Sequence, residues 1–320
     1  MSENTAQTLA AVPVDLVLRD QLAHGDALIG TIAPILRHLL ANDEHSLFSD
    51  EIIARVRGMM SDLAGQLLNQ LAVAAGEPDL REHDPAHVAA LVDGMVAHPG
   101  FLGHIHALAL EWQLTERLHA RLALDPVLSP LLQALIAASD AQVAATAMAL
   151  LAAQARFAQA QRRMQLPLSE LPGDLLYAAL LGLRGHAGET APELAAEAER
   201  VIRSNYDESR SRLGLIARLV TGMGGGATAA LSITHAGAGL FLSAVALASG
   251  QDRDMAILAT NEGQLARLAL ALRAAGLKSQ DVAEQFEVLH PDVALPAGFD
   301  QLSSDQAAAL LARSAAYPGS

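Results

Sequence analysis

Apolar residues recur at helical spacing along most of the chain, and this periodicity constrains the fold more than any other feature of the sequence. Between residues 49 and 75, for example, Ile52, Val56, Met59 and Leu63 follow one another at intervals of three or four residues. Short breaks rich in proline, glycine and N-capping residues separate such segments. Runs rich in β-branched and aromatic residues, which strands need, are missing from the sequence. The sequence therefore predicts an all-α protein.

The composition fits closely packed helices. Alanine and leucine are abundant, and both lose little side-chain entropy in a helix. Hydrophobic residues make up 52% of the chain but aromatic residues only 3%, so the core has to be built from small and aliphatic side chains. A length of 320 residues suits two or three domains or one elongated stack. We predict a multi-helix stack of antiparallel hairpins, of which a HEAT-like α-solenoid is one form.

The breaks divide the chain into four predicted parts. These are a disordered tail over residues 1–12, an N-terminal helical hairpin or bundle over 13–80, a helical-repeat-like region over 81–215 and a C-terminal helical domain over 216–320. Within the second part, Gly25 and Asp26 are expected to turn the chain between two helices.

Three predicted helices begin with similar sequences, which is typical of a repeat. The segments that begin at Asp84, Ser139 and Thr190 each place a capping residue before an alanine-rich helix. Their equivalent apolar residues lie about 50 residues apart, slightly more than the length of a HEAT unit. A regular repeat stack and an irregular helical assembly both stay open at this point.

The C-terminal part of the chain resembles a known family. An apolar segment that ends in glycine, 240–250, is followed by Asn-Glu-Gly-Gln-Leu-Ala at 261–266 and by Leu-Arg-Ala-Ala-Gly-Leu at 272–277. This arrangement resembles the C-terminal part of the bacterial domain-of-unknown-function family 2336. The N-terminal half of that family is HEAT-like, and residues 139–152 resemble it. The resemblance covers roughly a third of the chain. It implies an α-helical stack and no particular chemistry, because that family has no established activity.

The net charge of −14 argues against two classes of partner. Both the nucleic-acid backbone and an anionic membrane surface repel an acidic protein, so we expect neither as a partner. The stretch 219–250 carries no charged residue, but it is rich in glycine and is predicted to be a buried helix hairpin rather than a membrane span. The first residues lack the features of a secretory signal, and we expect a cytoplasmic protein.

A histidine-rich region is the first candidate site. The candidate metal ligands are His83, His87, His104, His106, Glu116 and His119. Imidazole and carboxylate groups are common metal ligands, and Glu116 and His119 have the Glu-x-x-His spacing of di-iron helical bundles. A second such pair, Glu287 and His290, lies far away in the sequence, which argues against a di-iron site. The alternative is a set of histidines that are solvated or cap helix ends.

Glycines and arginines supply two further candidates. Gly222, Gly224 and Gly226 are candidate cofactor-binding residues, but a dinucleotide fingerprint needs a preceding strand, and the sequence before them has a helical pattern. A helix-to-helix linker is the alternative, and we predict no cofactor. The arginine-rich segment 200–218 is a candidate site for a phosphate or an acidic partner, or else a solvated helix face with Glu208–Arg212 pairing.

No catalytic residue is predicted. The chain has no cysteine and no Gly-x-Ser-x-Gly sequence, and stacked helices build extended binding surfaces. We therefore expect a non-enzymatic scaffold or adaptor that binds another protein in signalling or regulation. The alternative is a small-molecule or metal-binding sensor or enzyme that uses residues 83–119 or the glycine loop 222–226. The apolar stripe of residues 49–75 also predicts a homodimer through residues 14–75, unless later helices cover it.

Overall fold

The structure, a computed structural model, describes residues 13–41, 50–77, 83–188 and 191–314. Within these ranges it consists of helices joined by turns and short loops, and it contains no β-strand. The predicted all-α class is therefore confirmed. The expected disordered tail over residues 1–12 lies outside the described residues.

The helices follow one another closely along the chain. The α-helices are α1 (Val14–Ala41), α2 (Asp50–Ala74), α3 (Pro85–Val96), α4 (Pro99–Leu122), α5 (Pro130–Ile136), α6 (Ala141–Arg162), α7 (Gly173–Ala187), α8 (Pro192–Asn205), α9 (Arg212–Gly222), α10 (Ile233–Ser249), α11 (Arg253–Leu258), α12 (Leu265–Ala274), α13 (Ser279–Leu289) and α14 (Ser304–Arg313). Short 3-10 helices lie at Leu168–Glu170, Glu208–Arg210, Gly224–Leu231, Glu262–Gln264 and Phe299–Gln301.

Two predicted helix starts are confirmed by N-capping hydrogen bonds. The side chain of Asp84 accepts a hydrogen bond from the backbone nitrogen of Ala86 at 2.9 Å, at the start of α3. Asp140 accepts hydrogen bonds from the backbone nitrogens of Gln142 and Val143 at 2.8 and 3.1 Å, at the start of α6. Such caps satisfy backbone donors that have no partner inside the helix. The sequence therefore positions these two helices locally.

The predicted turn at Gly25 and Asp26 is wrong, because α1 runs unbroken through both residues. Gly25 is a point of close packing, since Nε2 of Gln264 donates a hydrogen bond to its carbonyl oxygen at 2.6 Å. A Cβ at position 25 would lie 2.6 Å from Oε1 of the same glutamine. Asp26 forms an ion pair with the buried Arg267 of α12. Both residues thus hold α1 against the start of α12.

The helices do not pack only on their sequence neighbours. α1 packs on α12, α2 on α8 and α4 on α11. The buried apolar side chains form one cluster that includes Leu18 in α1 and Leu311 in α14. In a solenoid, each repeat contacts only the neighbouring repeats, so a HEAT-like solenoid is not confirmed. The boundaries predicted near residues 80 and 215 do not divide this cluster.

The apolar stripe of α2 is covered within the same chain. Val56, Met60, Leu63 and Leu67 are each 0% exposed, and α2 packs against α3, α4 and α8. These side chains therefore offer no surface to a second copy. The reason for predicting a homodimer through residues 14–75 is removed, because later helices take the place of the second copy.

α10 carries most of the uncharged stretch that the sequence predicts to be buried. Between Ala236 and Ala246 nearly every residue is buried, and the helix packs against α4, α5, α9, α11 and α12. Gly237 kinks α10 with a φ of +71°, and a Cβ there would lie 3.1 Å from Cβ of Ser129. Among the described helices, none is by itself both long and apolar enough to cross a membrane. α3 and Gly100–Leu122 of α4 meet those criteria only as a pair, with a bend of 100° between them.

We predict opposite effects for two glycines of α2. A Cβ at Gly58 would come within 2.7 Å of Cβ and 2.9 Å of the carbonyl oxygen of Met164, whereas one at Gly65 would have nothing within 4 Å. Gly65→Ala should raise the free energy of unfolding by about 0.5–1 kcal/mol through helix propensity. Gly58→Ala should lower it by about 1–3 kcal/mol, because the loop after α6 has to move. Urea unfolding followed by circular dichroism measures both, and a stabilised Gly58→Ala protein would contradict this packing.

Candidate functional site

The predicted metal ligands are held by different partners. The ring of His87 packs edge-on against the ring of His186 on α7, with ring centroids 5.1 Å apart. The carboxylate of Glu116 lies 3.5 Å from the guanidinium of Arg55 on α2. These two predicted ligands therefore face different helices.

The remaining histidines have different surroundings. His119 lies at the end of α4, where its Nδ1 is 2.9 Å from the carbonyl oxygen of Leu124, and His83 precedes α3. His106 is buried in α4, and burial lowers its pKa to about 4. Within the described ranges, no three histidine, aspartate or glutamate side chains are grouped so that they could hold a metal ion. The convergence that a metal site needs is not found there.

The glycine segment connects two helices. α9 ends at Gly222, and a 3-10 helix, Gly224–Leu231, follows it. Gly222, Gly224 and Gly226 are exposed, and Gly224 has a φ of +50°, which favours glycine. A dinucleotide-binding loop follows a strand, but here a helix precedes the glycines. The arrangement corresponds to the linker that the sequence offered as the alternative.

Glu111, near the middle of α4, is the centre of a buried ion-pair network. Its carboxylate oxygens accept hydrogen bonds from Nη1 and Nη2 of Arg212 at 2.8 and 3.0 Å. They also accept hydrogen bonds from Nη2 and Nη1 of Arg253 at 2.8 and 3.0 Å. Glu111 and Arg212 are each 1% exposed. Burial by itself would raise the pKa of Glu111, but the two guanidinium groups hold it well below its usual range.

Three further side chains complete the network. The guanidinium of Arg212 lies over the ring of Phe157, 3.7 Å from its centroid, and donates a hydrogen bond to Oε1 of Gln154 at 3.2 Å. Nε of Arg253 donates a hydrogen bond to the hydroxyl of Ser243 at 2.8 Å. Because these residues belong to different helices, the network joins α4 to α6, α9, α10 and α11.

A cavity of about 300 Å³ opens beside this network. His104 lines it and is only 4% exposed. Its Nδ1 lies 2.9 Å from Oδ2 of Asp254, while its Nε2 is buried and has no hydrogen-bond partner. Burial by itself would raise the pKa of Asp254, but His104 and Arg253 bring it below the usual value. Asp174 and Asp252 also line the cavity, so its polar wall is mostly acidic.

A second and wider cavity of about 530 Å³ lies between α7 and α8. Its charged lining residues are Arg184, Glu199, Arg200 and Arg203. The buried Glu199 accepts hydrogen bonds from Nε and Nη2 of Arg184 at 2.5 and 2.6 Å and from Nε of Arg203 at 2.7 Å. Burial opposes its ionisation, but these hydrogen bonds lower the pKa of Glu199. Arg200 is paired separately with Glu197, at 2.6 and 2.9 Å.

Exposed apolar side chains adjoin this cavity. Tyr177 and Leu181 are 49% and 45% exposed and lie one helical turn apart on the outer side of α7, in line with Arg184. The guanidinium carbon of Arg203 is 5.7 Å from the centroid of the Tyr177 ring, which is the distance range of cation–π contacts. We call Tyr177, Leu181, Arg184, Arg200 and Arg203 the α7–α8 face.

The arginine-rich segment 200–218 is divided by the fold. Arg200 and Arg203 belong to the α7–α8 face, whereas Arg212 is buried in the Glu111 network. Arg218 donates a hydrogen bond to the carbonyl oxygen of Ser209 at 2.9 Å. The segment is thus neither one site nor one solvated surface.

Sequence reasoning misses several residues of these sites. Arg184 and Tyr177 lie on α7, which was not among the candidate regions. The sequence does contain a pattern that could have indicated them, because Tyr177, Leu181 and Arg184 are spaced along the side of the helix opposite its buried leucines. Asp254 pairs with His104 across 150 residues of sequence. No local pattern connects two residues that far apart.

Comparison with known proteins adds no assignment. No protein-family model, curated protein or solved structure gave a significant match to the chain. The resemblance to the domain-of-unknown-function family 2336 therefore stays a prediction, and the sites have to be interpreted from their own geometry.

We predict that Glu111→Gln lowers the free energy of unfolding by about 3–5 kcal/mol, because it leaves Arg212 and Arg253 without their buried counter-charge. Glu116→Gln makes the same change on the same helix, but the Glu116 side chain is 48% exposed, and its loss should lower the free energy by less than about 1 kcal/mol. Urea unfolding at neutral pH compares the two variants. Equal effects would show that the Glu111 network does not stabilise the fold.

The effect of Glu111→Gln should also depend on pH. The pKa of Glu111 is lower in the folded protein than its usual value of 4.5, so the ionised carboxylate stabilises the fold fully above that pH. The contribution is lost as the pH falls from there towards the lower pKa of the folded state. When the pH is lowered below 4.5, the free energy of unfolding should therefore fall more in wild type than in Glu111→Gln. A pH-independent difference would contradict the assignment.

Proposed function

We propose that this protein is a non-enzymatic helical scaffold or adaptor that binds another protein through the α7–α8 face. The observation that carries the proposal is the exposure of Tyr177 and Leu181 beside three guanidinium groups. Tyrosine and arginine are among the residues most enriched at the energetic centres of protein interfaces. Covering two adjacent apolar side chains removes their surface from water, which favours association.

The support beneath the α7–α8 face favours binding further. Leu180, Leu183, Ala195 and Ala198 are buried beneath it, and α8 packs against both α7 and α2. Glu199 fixes the guanidinium groups of two arginines before any partner arrives. Side chains that are already ordered lose less conformational entropy on binding. We propose a cytoplasmic location for this interaction, as expected from the sequence.

Small-molecule binding is a second candidate function. It is favoured by the cavity beside the Glu111 network, where Nε2 of the buried His104 has no hydrogen-bond partner. Buried polar groups are normally satisfied, and a ligand or an ordered water would satisfy this one. Such a ligand would contact α4 and α11, which separates this candidate experimentally from binding at the α7–α8 face.

Substitution of Leu181 should abolish partner capture. The affinity-tagged protein, expressed in its native cell, is compared with Leu181→Glu and Tyr177→Ala, and the retained proteins are identified by mass spectrometry. Both variants should lose the same specific partner, because each removes apolar contact at the centre of the interface, with a loss of affinity of about tenfold or more. Met148→Glu is the matched control, since Met148 is 52% exposed on α6, and it should retain the partner.

Each result has a definite meaning. A partner that is retained by wild type and Met148→Glu but lost by both α7 variants supports the proposal. A partner retained equally by all four proteins, or none retained by wild type, contradicts binding through this face. Circular dichroism of each variant shows that the fold is intact, as expected for exposed positions.

A further inference from the structure

We infer that the partner segment bound by the α7–α8 face is acidic and carries an apolar residue next to its carboxylates. This inference rests on the proposed function and adds the chemistry of the partner. Three arginines and one glutamate are the charged residues that line the cavity, in a chain whose net charge is −14. The local reversal of charge makes the cavity complementary to an anion.

Two of the arginines keep unused donors. Arg184 directs Nε and Nη2 to Glu199, and Arg203 directs Nε to the same carboxylate. Within the described residues, Nη1 of Arg184 and both Nη atoms of Arg203 have no hydrogen-bond partner. These groups are held in place by a buried carboxylate and are free to donate to a second one. Hydrogen bonds between guanidinium and carboxylate groups are among the strongest in proteins.

Arg200 has an ion pair that a carboxylate of the partner would replace. It pairs with Glu197 on the surface, where the two side chains are 67% and 48% exposed. An exposed pair of this kind contributes little stability, so a carboxylate from outside can replace Glu197. Glu193 and Asp174 are the other exposed acidic residues of the two helices, and neither lines this cavity.

The apolar half of the α7–α8 face selects a peptide over a free ion. Tyr177 and Leu181 lie beside the cavity rather than inside it. An inorganic phosphate or a single carboxylate would leave both side chains in water. A peptide segment with an aliphatic or aromatic residue next to its acidic residues covers them and reaches the arginines at the same time.

Selection from random peptides displayed on phage tests the inference without knowledge of the partner. The purified full-length chain is the bait. Selected peptides should be enriched in aspartate or glutamate next to leucine, isoleucine or phenylalanine, and Leu181→Glu should abolish their binding. Neutral or basic peptides, peptides insensitive to Leu181→Glu, or failure to select any peptide would overturn the inference.

Substitution of the exposed Arg200–Glu197 pair then tests the role of charge. Binding of a selected, fluorescein-labelled peptide is measured by fluorescence polarisation. Arg200→Gln should weaken it about tenfold, which is the loss expected for one charged hydrogen bond. Glu197→Gln should strengthen it, because the competing carboxylate is removed. Arg162→Gln, an equal charge change at an exposed position at the end of α6, should leave the affinity unchanged.

Opposite shifts in Arg200→Gln and Glu197→Gln are the decisive result, because a purely structural role of the pair predicts equal shifts. Equal shifts, or an effect of Arg162→Gln as large as that of Arg200→Gln, would overturn the inference. The inference would also be overturned if inorganic phosphate bound to the α7–α8 face and no acidic peptide was selected. A different combination of results would separate the two proposals. If capture of the native partner depends on Tyr177 and Leu181 but the selected peptides are not acidic, the proposed function stands and only this inference is overturned.

Discussion

Burial of the Glu111 carboxylate in α4 requires compensating charge, because moving an ionised group out of water costs several kcal/mol. Arg212 at the start of α9 and Arg253 at the start of α11 provide it, each with two hydrogen bonds. If either arginine moved away, the buried carboxylate would lose part of its compensating charge. The two helix starts are therefore fixed relative to α4. Ser243 of α10 and Gln154 of α6 are fixed through the arginines. Hydrogen bonds that start from this one group thus link α4, α6, α9, α10 and α11.

A carboxylate held by two arginines occurs a second time, at Glu199. There it lies at the floor of an open cavity, and Arg184 and Arg203 are about half exposed. The difference in burial decides the difference in role. In the Glu111 network most donors point inward and stabilise packing, whereas at Glu199 the carboxylate orders two guanidinium groups whose outer edges stay in water. This arrangement connects the support of the fold to the proposed binding of an acidic segment.

Local features of the fold can be predicted from the sequence, and long-range contacts cannot. The caps at Asp84 and Asp140 and the helical spacing of α2 depend on residues within one or two turns, so a single sequence is sufficient. The role of Gly25 depends on Gln264, more than two hundred residues away, and the same glycine in isolation favours a turn. The charged pairs cannot be predicted from the sequence either, because no local pattern joins Glu111 to Arg212 or Arg184 to Glu199. The histidine-rich region shows the same limit, because proximity in sequence does not group three metal-ligating side chains within the described residues.

Amide hydrogen exchange, followed by mass spectrometry, tests the central claim most directly. The protein is compared alone and in the complex captured from its native cell. Binding through the α7–α8 face predicts slower exchange in α7 and α8, and unchanged exchange in α4 and α11 around the His104 cavity. Protection confined to α4 and α11, with no change in α7 and α8, would contradict the proposed interface and would favour a ligand in that cavity.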